Sequence, residues 1–416
     1  MATILDSIYS IFIRVFGFGL KVASLFGSKA RSRAQHQNNW KTISQNRDLD
    51  KKLVWFHCAS LGEFEQGRPL IEGFKKKYPN YQILLTFFSP SGYEVRKDYQ
   101  EADMVCYLPL DLAHNVNDFL DVLKPDIAFF VKYEFWRNFI LGLKLRSIPI
   151  ISISAIFRED QLYFKPWGSF IRKPLLAIDY FFVQNELSAQ LLELIGLGNY
   201  NVAGDTRFDR VADALKNIKE ISSATKFKSD SKLMVCGSVW EEDMQVIIPL
   251  INTSVDLKFI IAPHEIKEKQ ISDWESRMAG KSVIRFSKIG GETDLASYDI
   301  LIIDNIGILS SLYQYGDFAF IGGGFATGLH NILEAATFGM PIFFGFKAYH
   351  KFQEAHDLIQ EKGAFAVRDT KQVEKVMEQL LADNKLYQST KNTTAQYVKN
   401  HTGATDVILE WLEIQV

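Results

Sequence analysis

Short apolar runs alternate with helix-length amphipathic segments along the chain from residue 52 onward. The runs predict strands at residues 53–58, 82–87, 104–108, 126–131, 149–154, 180–183 and 200–203 in the first half, and at 232–236, 258–262, 282–286, 300–303, 318–321, 341–344 and 364–367 in the second. Strand–helix alternation of this kind is typical of a parallel sheet with helices on both faces. The pattern therefore predicts two α/β sheets, one in each half of the chain.

The domain organisation follows from the length and from one break in this pattern. A chain of 416 residues suits two α/β domains of similar size better than one domain. Residues 212–231 are polar, rich in Lys and Ser and without strand character, and we interpret them as a linker whose beginning is compatible with a helix. We therefore predict Rossmann-like, doubly wound domains over residues 34–211 and 232–416, with the carboxyl ends of their strands facing a cleft.

Residues 1–33 differ from the rest of the chain. Their apolar positions are Ile4, Leu5, Ile8, Tyr9, Ile11, Phe12, Ile13, Val15, Phe16, Phe18, Leu20, Val22, Leu25 and Phe26. Arg14 and Lys21 interrupt this segment, whereas a spanning helix needs ~20 mostly apolar residues. Lys29, Arg31 and Arg33 follow it, whereas a secretory signal carries its charges first. The pattern favours a helix in a membrane interface with its basic side chains at anionic headgroups. A helix packed on its own domain and a transmembrane anchor are the alternatives.

A glycine-rich turn is the most informative single segment. The apolar run at 318–321 ends in Gly322, Gly323 and Gly324, and a helix is expected to open at residues 329–331. Glycines let the backbone approach a ligand closely, and the N–H groups at a helix start attract an anion. The turn therefore indicates a phosphate site, with Glu334 placed to accept hydrogen bonds from a ribose diol. The alternative is a glycine-rich βα turn that binds nothing.

Composition and charge exclude several classes of function. With 47% hydrophobic and 23% charged residues the chain is globular, and a net charge of −2 gives no support for a nucleic-acid binder. The three cysteines, Cys58, Cys106 and Cys236, lie in apolar runs without CxxC spacing. This arrangement indicates buried structural thiols and no zinc site.

Candidate polar groups come directly after the predicted strands. They lie at residues 62–63, 86–92, 108–111 and 132–136 in the first half, and at 237–238, 263–265, 304–305 and 322–324 in the second. Open α/β sheets bind ligands at the carboxyl ends of their strands, and a buried carboxylate needs a partner. The repeated acids at strand ends therefore favour a binding or catalytic site.

Six spaced motifs carry a family resemblance that covers nearly the whole chain. They are HCASLGE at 57–63, TFFSPSG at 86–92, YLPLD at 107–111, EFWRN at 134–138, GDTRFD at 204–209 and HNILE at 330–334. Taken in order, they resemble the motifs of the 3-deoxy-D-manno-octulosonic acid (Kdo) transferases of lipopolysaccharide assembly, which have the GT-B glycosyltransferase fold. The apolar and basic N-terminus is similar as well.

This resemblance implies transfer of Kdo from the donor CMP-Kdo to a hydroxyl of the lipid A precursor (lipid IVA), with inversion at the anomeric carbon. It implies no cofactor and no metal held by a DxD motif. It assigns the acceptor to residues 34–211 and the CMP sugar to residues 232–416, in a peripheral or monotopic protein at the anionic cytoplasmic side of the cell inner membrane. The number of Kdo units, the acyl preference and the oligomeric state stay open.

The resemblance also assigns three catalytic residues. Glu63 is similar to the general base that takes the proton from the acceptor hydroxyl, a role that suits a carboxylate because an alcohol is a poor nucleophile. Its alternative role is to cap a helix that begins near Leu61. Glu134 and Arg207 match two groups that stabilise the transition state, although the family usually has Lys at the position of Arg207. An Arg is a planar cation that cannot act as an acid.

A larger set of residues is assigned to substrate or CMP binding. These residues are Ser60, Gly62, Gly237, Ser238, Pro263, His264, Ile306, Gly307, Ile308, Gly322, Gly323, His330, Asn331, Ile332, Leu333 and Glu334. The family commonly has Pro-Arg where this chain has Pro263-His264, and Met-Gly-Glu where it has residues 306–308. The second departure leaves only backbone contacts to carry over at that loop.

Two other functions fit parts of the sequence. Another GT-B enzyme, either a transferase for a different nucleotide sugar or an epimerase of the UDP-N-acetylglucosamine type, would keep the glycine turn and Glu334 but would not need the motif at 57–63. A catalytically silent membrane-associated scaffold would need none of Glu63, Glu134 and Arg207.

Overall fold

The computed structural model describes residues 4–216, 218–326 and 328–415. Residues 1–3 of the predicted membrane segment, residue 217 of the predicted linker, residue 327 of the glycine turn and residue 416 lie outside the described residues. The chain forms two compact units. The first unit joins the chain up to Arg210 to the segment that begins at His401, and the second runs from Val211 to Asn400.

In the described part of the chain, each unit contains one seven-stranded sheet. The strands of the first sheet are β1 (Leu53–Cys58), β2 (Gln82–Phe87), β3 (Met104–Tyr107), β4 (Ile127–Val131), β5 (Ile150–Ala155), β6 (Tyr180–Val183) and β7 (Tyr200–Val202). Those of the second are β8 (Lys232–Val239), β9 (Leu257–Pro263), β10 (Val283–Arg285), β11 (Ile300–Ile302), β12 (Phe318–Ile321), β13 (Ile342–Gly345) and β14 (Ala364–Val367). Every predicted strand is present, which confirms the strand predictions to within a few residues at their ends.

Helices connect the strands throughout. Up to Lys216 they are α1 (Ile4–Ala23), α2 (Ser28–His36), α3 (Trp40–Ile43), α4 (Leu61–Lys77), α5 (Pro90–Arg96), α6 (Ala113–Leu123), α7 (Arg137–Leu145), α8 (Ser169–Arg172), α9 (Glu186–Leu194) and α10 (Arg207–Lys216). The later ones are α11 (Ser222–Lys228), α12 (Glu241–Thr253), α13 (Glu268–Arg277), α14 (Leu309–Leu312), α15 (Leu333–Ala336), α16 (Gln353–Gln360), α17 (Thr370–Ala382), α18 (Asn384–Asn400) and α19 (Ala404–Gln415).

Both sheets are parallel and doubly wound, as predicted. The strand order is β3-β2-β1-β4-β5-β6-β7 in the first and β10-β11-β9-β8-β12-β13-β14 in the second. The order reverses between β1 and β4 in the first sheet, where Val54 pairs with Ile127, and between β8 and β12 in the second, where Met234 pairs with Phe318. Ligands of open α/β sheets bind beside such reversals, at the carboxyl ends of the strands.

The central strands are apolar because both of their faces are buried. In β1 the ring of Trp55 lies 5.3 Å from that of Phe130 on one face, and Phe56 stacks on Phe129 at 4.8 Å on the other. Each face belongs to a separate hydrophobic core cluster of the first unit. The predicted structural thiols Cys58, Cys106 and Cys236 are buried and unbridged, which confirms that part of the composition argument.

The second compact unit differs from the predicted second domain at both ends. Helix α19 belongs to the first unit, where Ile408 and Leu412 join the core cluster beside β1 and β2, so the predicted range 232–416 runs too far. At the other end, residues 212–231 begin with the end of α10, in agreement with a helical start, and they also contain all of α11. Helix α11 buries Ala224 and Phe227 within the second unit. A few apolar anchors among Lys and Ser suffice to fold this stretch.

Residues 1–33 do not form a separate segment, because one face of α1 packs on the first unit. Ile13 and Gly17 are buried, the hydroxyl of Tyr9 donates to Asp111, and Asp6 forms an ion pair with Arg137. The opposite face is exposed and apolar, with Ile4, Leu5, Ile8, Ile11, Phe12, Val15, Phe18 and Val22 in contact with solvent. Among the described residues, no helix has the length and apolar character needed to cross a membrane.

One of the basic residues predicted to face headgroups is in the wrong place for that role. The side chain of Arg33 is 3% exposed and donates from Nη2 to the carbonyl of Leu108 at 2.6 Å. Its guanidinium lies between the rings of Phe88 and Tyr107, at 5.1 and 4.7 Å from their centroids. Arg33 is therefore a buried packing residue, stabilised by its aromatic neighbours.

We expect Leu412→Ala to loosen the first unit and leave the second unchanged. Leu412 is fully buried, and truncating such a leucine costs ~2–5 kcal/mol. Hydrogen–deuterium exchange should rise in β1, β2 and β4. Ile414→Ala on the same helix is the matched control, since Ile414 is 80% exposed and surface changes usually stay within ~0.5 kcal/mol. Faster exchange in β8 and β12 instead would show that α19 stabilises the other unit.

Candidate functional site

The first candidate group lies where the strand order of the first sheet reverses. Glu63 is in the first turn of α4, directly after β1, and Glu134 lies between β4 and α7. Because β1 and β4 are hydrogen-bonded neighbours, their carboxyl ends bring these two acids together. The structure thus joins two residues that are 71 positions apart in the sequence (134 minus 63).

Ser60 and Gly62 shape the start of α4. The hydroxyl of Ser60 accepts a hydrogen bond from the N–H of Gly62 at 3.2 Å, which makes Ser60 the N-cap, and it donates to the carboxylate of Glu63. The capping role considered for Glu63 therefore belongs chiefly to Ser60. Glu63 is half-buried, held by one hydroxyl in the first turn of α4. A carboxylate in this position can accept a proton from a ligand hydroxyl.

Glu134 is in an unusual electrostatic environment. Burial first, and the nearby carboxylate of Glu63 second, raise the pKa of Glu134 to about 7. The preceding Lys132 has a φ of 62°, a left-handed conformation that is uncommon for a residue with a side chain. A carboxyl group that titrates near neutrality beside a second carboxylate is typical of a functional site.

Arg207 is held by Asp205, a residue that sequence reasoning missed. Asp205 accepts hydrogen bonds from the Nε of Arg207 at 2.8 Å and from its backbone N–H at 2.9 Å, and Nη2 completes the ion pair at 2.7 Å. The amide of Gln66, in α4, donates to the same carboxylate at 3.2 Å. The cation predicted to stabilise the transition state is thus oriented by Asp205 and tied to the helix that carries Glu63. The position of Asp205, two residues before Arg207, was the feature of the sequence that could have indicated this contact.

In the second unit, the glycine turn follows β12 at the other reversal of strand order. A side chain at Gly322 would collide with the carbonyl of Ser238 at the end of β8, and Gly323 has a φ of 86°. The N–H of Gly323 donates to Asp243 at 2.8 Å. The glycines are therefore required by close backbone packing, and at least this N–H is engaged within the protein.

Asp243 is a second residue that sequence reasoning missed. It lies in the first turn of α12 and accepts hydrogen bonds from the N–H groups of Trp240 at 2.9 Å and of Gly323. Burial raises the pKa of Asp243 to about 6. This carboxylate joins the end of β8 to the glycine turn. Three acidic residues, Glu241, Glu242 and Asp243, lie in the first turn of α12, and this pattern could have indicated a carboxylate that binds backbone N–H groups.

Three rings stack at the strand ends of the second sheet. The ring of His264 lies 4.3 Å from that of Trp240 and 4.3 Å from that of His330, and the indole N–H of Trp240 donates to Nε2 of His330 at 2.9 Å. Burial lowers the pKa of His330 to about 4, and the neighbouring His264 acts in the same direction. Burial also lowers the pKa of His264. Burial thus favours the neutral form of both imidazoles.

The helix expected at residues 329–331 begins later and is short. Helix α15 spans only Leu333–Ala336, because Asn331 turns its side chain back onto the chain. Its Oδ1 accepts from the N–H of Leu333 and its Nδ2 donates to Glu334, both at 3.1 Å. The side chains of Ile332 and Leu333 are buried in the core. Of these four residues, the polar side chains of Asn331 and Glu334 are the ones suited to a ligand.

The remaining predicted residues lie near Glu334 or at the neighbouring strand ends. Tyr313 packs against Gly237, and its pKa is raised by burial first and by the carboxylate of Glu334 second. Glu334 also lines a small cavity of about 30 Å³ with Ser310 and Ser311. Ser238 has a φ of 54° and Pro263 ends β9.

The loop of Ile306, Gly307 and Ile308 follows β11 and leads into α14. The side chain of Ile306 is 91% exposed, and Gly307 has a φ of 98°. An exposed isoleucine offers no polar atom beyond its backbone. These positions agree with a loop that meets a ligand through its main chain.

Comparisons with known proteins agree with these features. The family described as 3-deoxy-D-manno-octulosonic-acid transferase (kdotransferase) matches residues 29–210. The 3-deoxy-D-manno-octulosonic acid transferase of Chlamydia muridarum is 26% identical over 377 residues, which cover 88% of this chain and 86% of the relative. That of Aquifex aeolicus is 28% identical over 343 residues, which cover 80% of this chain and 88% of the relative.

Among solved structures, the UDP-GlcNAc 2-epimerase of Neisseria meningitidis bound to UDP-GlcNAc has a TM-score of 0.62 at 18% identity, covering 87% of this chain and 99% of the epimerase. At this level of identity the likeness shows the fold alone, and it confirms the predicted GT-B class. The sequence relatives over most of the chain do not favour the epimerase alternative. The family match over residues 29–210 and these relatives support a 3-deoxy-D-manno-octulosonic acid transferase, a kind of glycosyltransferase.

Proposed function

We propose that this protein transfers Kdo from CMP-Kdo to a hydroxyl of the lipid A precursor, with inversion. The observation that carries the proposal is the pairing of Glu63 and Glu134 at the strand reversal of the first unit, in a chain of this family. A base beside an acid of shifted pKa suits the reaction of a weak alcohol nucleophile with an activated sugar.

The proposed step accounts for every bond and proton. The acceptor oxygen attacks the anomeric carbon of Kdo, the bond from that carbon to the phosphate oxygen of CMP breaks, and CMP leaves with the electron pair. Glu63 takes the proton of the acceptor hydroxyl. The ionised form of Glu134 stabilises the positive charge that develops on the sugar ring, and Arg207, held by Asp205, faces the negative charge that develops on the leaving group.

On the donor side, we assign CMP to the strand ends of the second unit. Glu334 and Asn331 supply oxygen and amide groups for the ribose, while backbone groups of residues 237–238, 306–308 and 322–323 line its surroundings. The ring stack of Trp240, His264 and His330 offers a flat, uncharged surface. This arrangement supports recognition by shape and hydrogen bonds, with less fixed positive charge than an arginine at position 264 would give.

The membrane surface is the remaining part of the proposal. The exposed face of α1 is apolar over its whole length, and Arg14, Lys21, Lys29 and Arg31 remain exposed after Arg33 is removed from the predicted set. Such a helix suits the interface of an anionic leaflet. We propose that the enzyme binds the cytoplasmic side of the inner membrane through this face of α1, where its lipid acceptor resides.

We expect Glu63→Gln to lower turnover by ~10²-fold or more while CMP still binds, because the amide cannot take the proton. Mass spectrometry of the glycolipid product measures transfer, and calorimetry measures CMP binding. Glu72→Gln on the same helix is the matched control, since Glu72 pairs with Arg68 on the surface. Near-normal turnover of the Glu63 variant would remove this residue from the mechanism.

Glu334→Ala is expected to weaken CMP binding by ~1.5–3 kcal/mol, the range for hydrogen bonds that involve a charged group. Titration calorimetry gives the affinity directly. Glu378→Ala, at an exposed position of α17 in the same unit, should bind CMP like the unaltered protein. Equal affinities of the two variants would refute the assignment of Glu334 to the ribose.

Replacing both Phe12 and Phe18 with Ser should release the protein from anionic vesicles. These rings are 62% and 68% exposed, and burying a large apolar side chain contributes ~1.5–3 kcal/mol. Vesicle flotation should also weaken at high salt, because the Debye length falls from ~10 Å at 0.1 M to ~3 Å at 1 M. Leu145→Ser, at an exposed position of α7, is the control. Unchanged flotation of the double variant would rule out this face as the binding surface.

A further inference from the structure

The inward face of α1 carries polar side chains that reach far along the chain. Asp6 accepts hydrogen bonds from Nη2 of Arg137 at 2.8 Å and from Nε at 3.2 Å. Arg137 is 4% exposed, donates to the carbonyl of Phe170 at 2.9 Å and lies 3.9 Å from the centre of its ring. Asp6 is the carboxylate that forms an ion pair with this buried guanidinium, and removing one partner of such a pair is costly.

A second contact lies one turn further along α1. The hydroxyl of Tyr9 donates to Oδ2 of Asp111 at 2.6 Å, and Asp111 is almost fully buried. The same carboxylate accepts from the N–H groups of Asn138 at 2.9 Å and Phe139 at 3.0 Å. Asp111 thus binds the first N–H groups of α7, and Tyr9 fixes the orientation of Asp111.

A third contact is aromatic. The ring of Phe16 stacks on that of Phe88 at 5.9 Å, and Phe88 in turn lies 4.7 Å from the ring of Trp136. The three contacts therefore end on residues 136–139, immediately after Glu134. The segment between β4 and α7 has no regular secondary structure of its own, so its position depends on these neighbours.

We propose that α1 positions Glu134: the contacts of Asp6, Tyr9 and Phe16 hold the segment at residues 132–136 in its reacting geometry, so that docking of α1 and catalytic competence are coupled. The inference rests on the proposed role of Glu134. Asp6 and Tyr9 are positioning residues that act through Arg137 and Asp111. A helix with one face on the lipid and the other on this segment fixes the catalytic acid relative to the membrane surface.

Two conservative variants of the full-length protein test this coupling. Asp6→Asn keeps the shape but removes the counter-ion, and Tyr9→Phe removes one hydroxyl. With anionic vesicles that contain the acceptor, we expect kcat to fall ~10-fold or more in each, with the KM for CMP-Kdo and vesicle binding unchanged. Ser10→Ala is the matched control on α1, since the Ser10 hydroxyl bonds only within the helix, to the carbonyl of Asp6.

The pH dependence of kcat gives a readout that a loss of overall stability alone would not move. The titratable groups that act on or respond to Glu134 are Glu63, from α4, and Tyr163, whose pKa is raised by burial and by Glu134. Burial is the main cause of the raised pKa of Glu134, so a loosened segment should lower it, and the rise of kcat with pH should shift to lower pH. Glu134→Gln should abolish this inflection and thereby assign it.

The outcomes separate this inference from the proposed function. The first outcome is that the unaltered protein transfers Kdo and that Asp6→Asn and Tyr9→Phe keep its kcat and its pH profile. This result would overturn the inference and leave the proposed function intact. Absence of transfer by the unaltered protein would refute the proposed function. If kcat fell only in proportion to lost hydrogen-exchange protection across the first unit, with no shift in the pH profile, the contacts would serve stability and the inference would be wrong.

Discussion

The adjacency of β1 and β4 is the constraint on which the candidate active site depends. Because both faces of the sheet are buried, the strands are apolar and parallel, and their carboxyl ends meet at one edge. The reversal of strand order between these two strands leaves room for side chains from the following segments. Glu63 and Glu134 occupy that edge, and the electrostatic coupling between them follows from the topology.

The second sheet repeats the same geometry with different chemistry. At its reversal the glycine turn packs against the end of β8, and Asp243 joins the two. Burial favours the neutral form of His264 and His330, so these strand ends offer a ring stack and hydrogen-bonding groups.

Helix α1 has two different faces, and each fits one of the interpretations of the apolar N-terminal pattern. Its exposed face is suited to lipid, as an interfacial helix would be, while its inward face is packed as in a helix of the domain. The two interpretations of residues 1–33 are therefore not exclusive. Asp6 and Tyr9 are the residues that show the packing role, because a helix that only anchored the chain would need no ion pair with the buried Arg137.

The sequence by itself determined the strands, the doubly wound class and the positions of the polar groups after the strands. A strand that is buried on both faces must be apolar at nearly every position, so it is visible in the sequence as a continuous apolar run. Only the tertiary structure decided which distant residues contact one another. The ion pair of Asp6 and Arg137 spans 131 residues, Asp205 meets Gln66 across 139, and α19 returns to the first unit. The late start of α15 also depended on a side chain, that of Asn331, folding back on its neighbours. Local hydrophobic periodicity encodes which positions are buried, but the identity of a contact between distant residues is set only when the strand order brings their elements together.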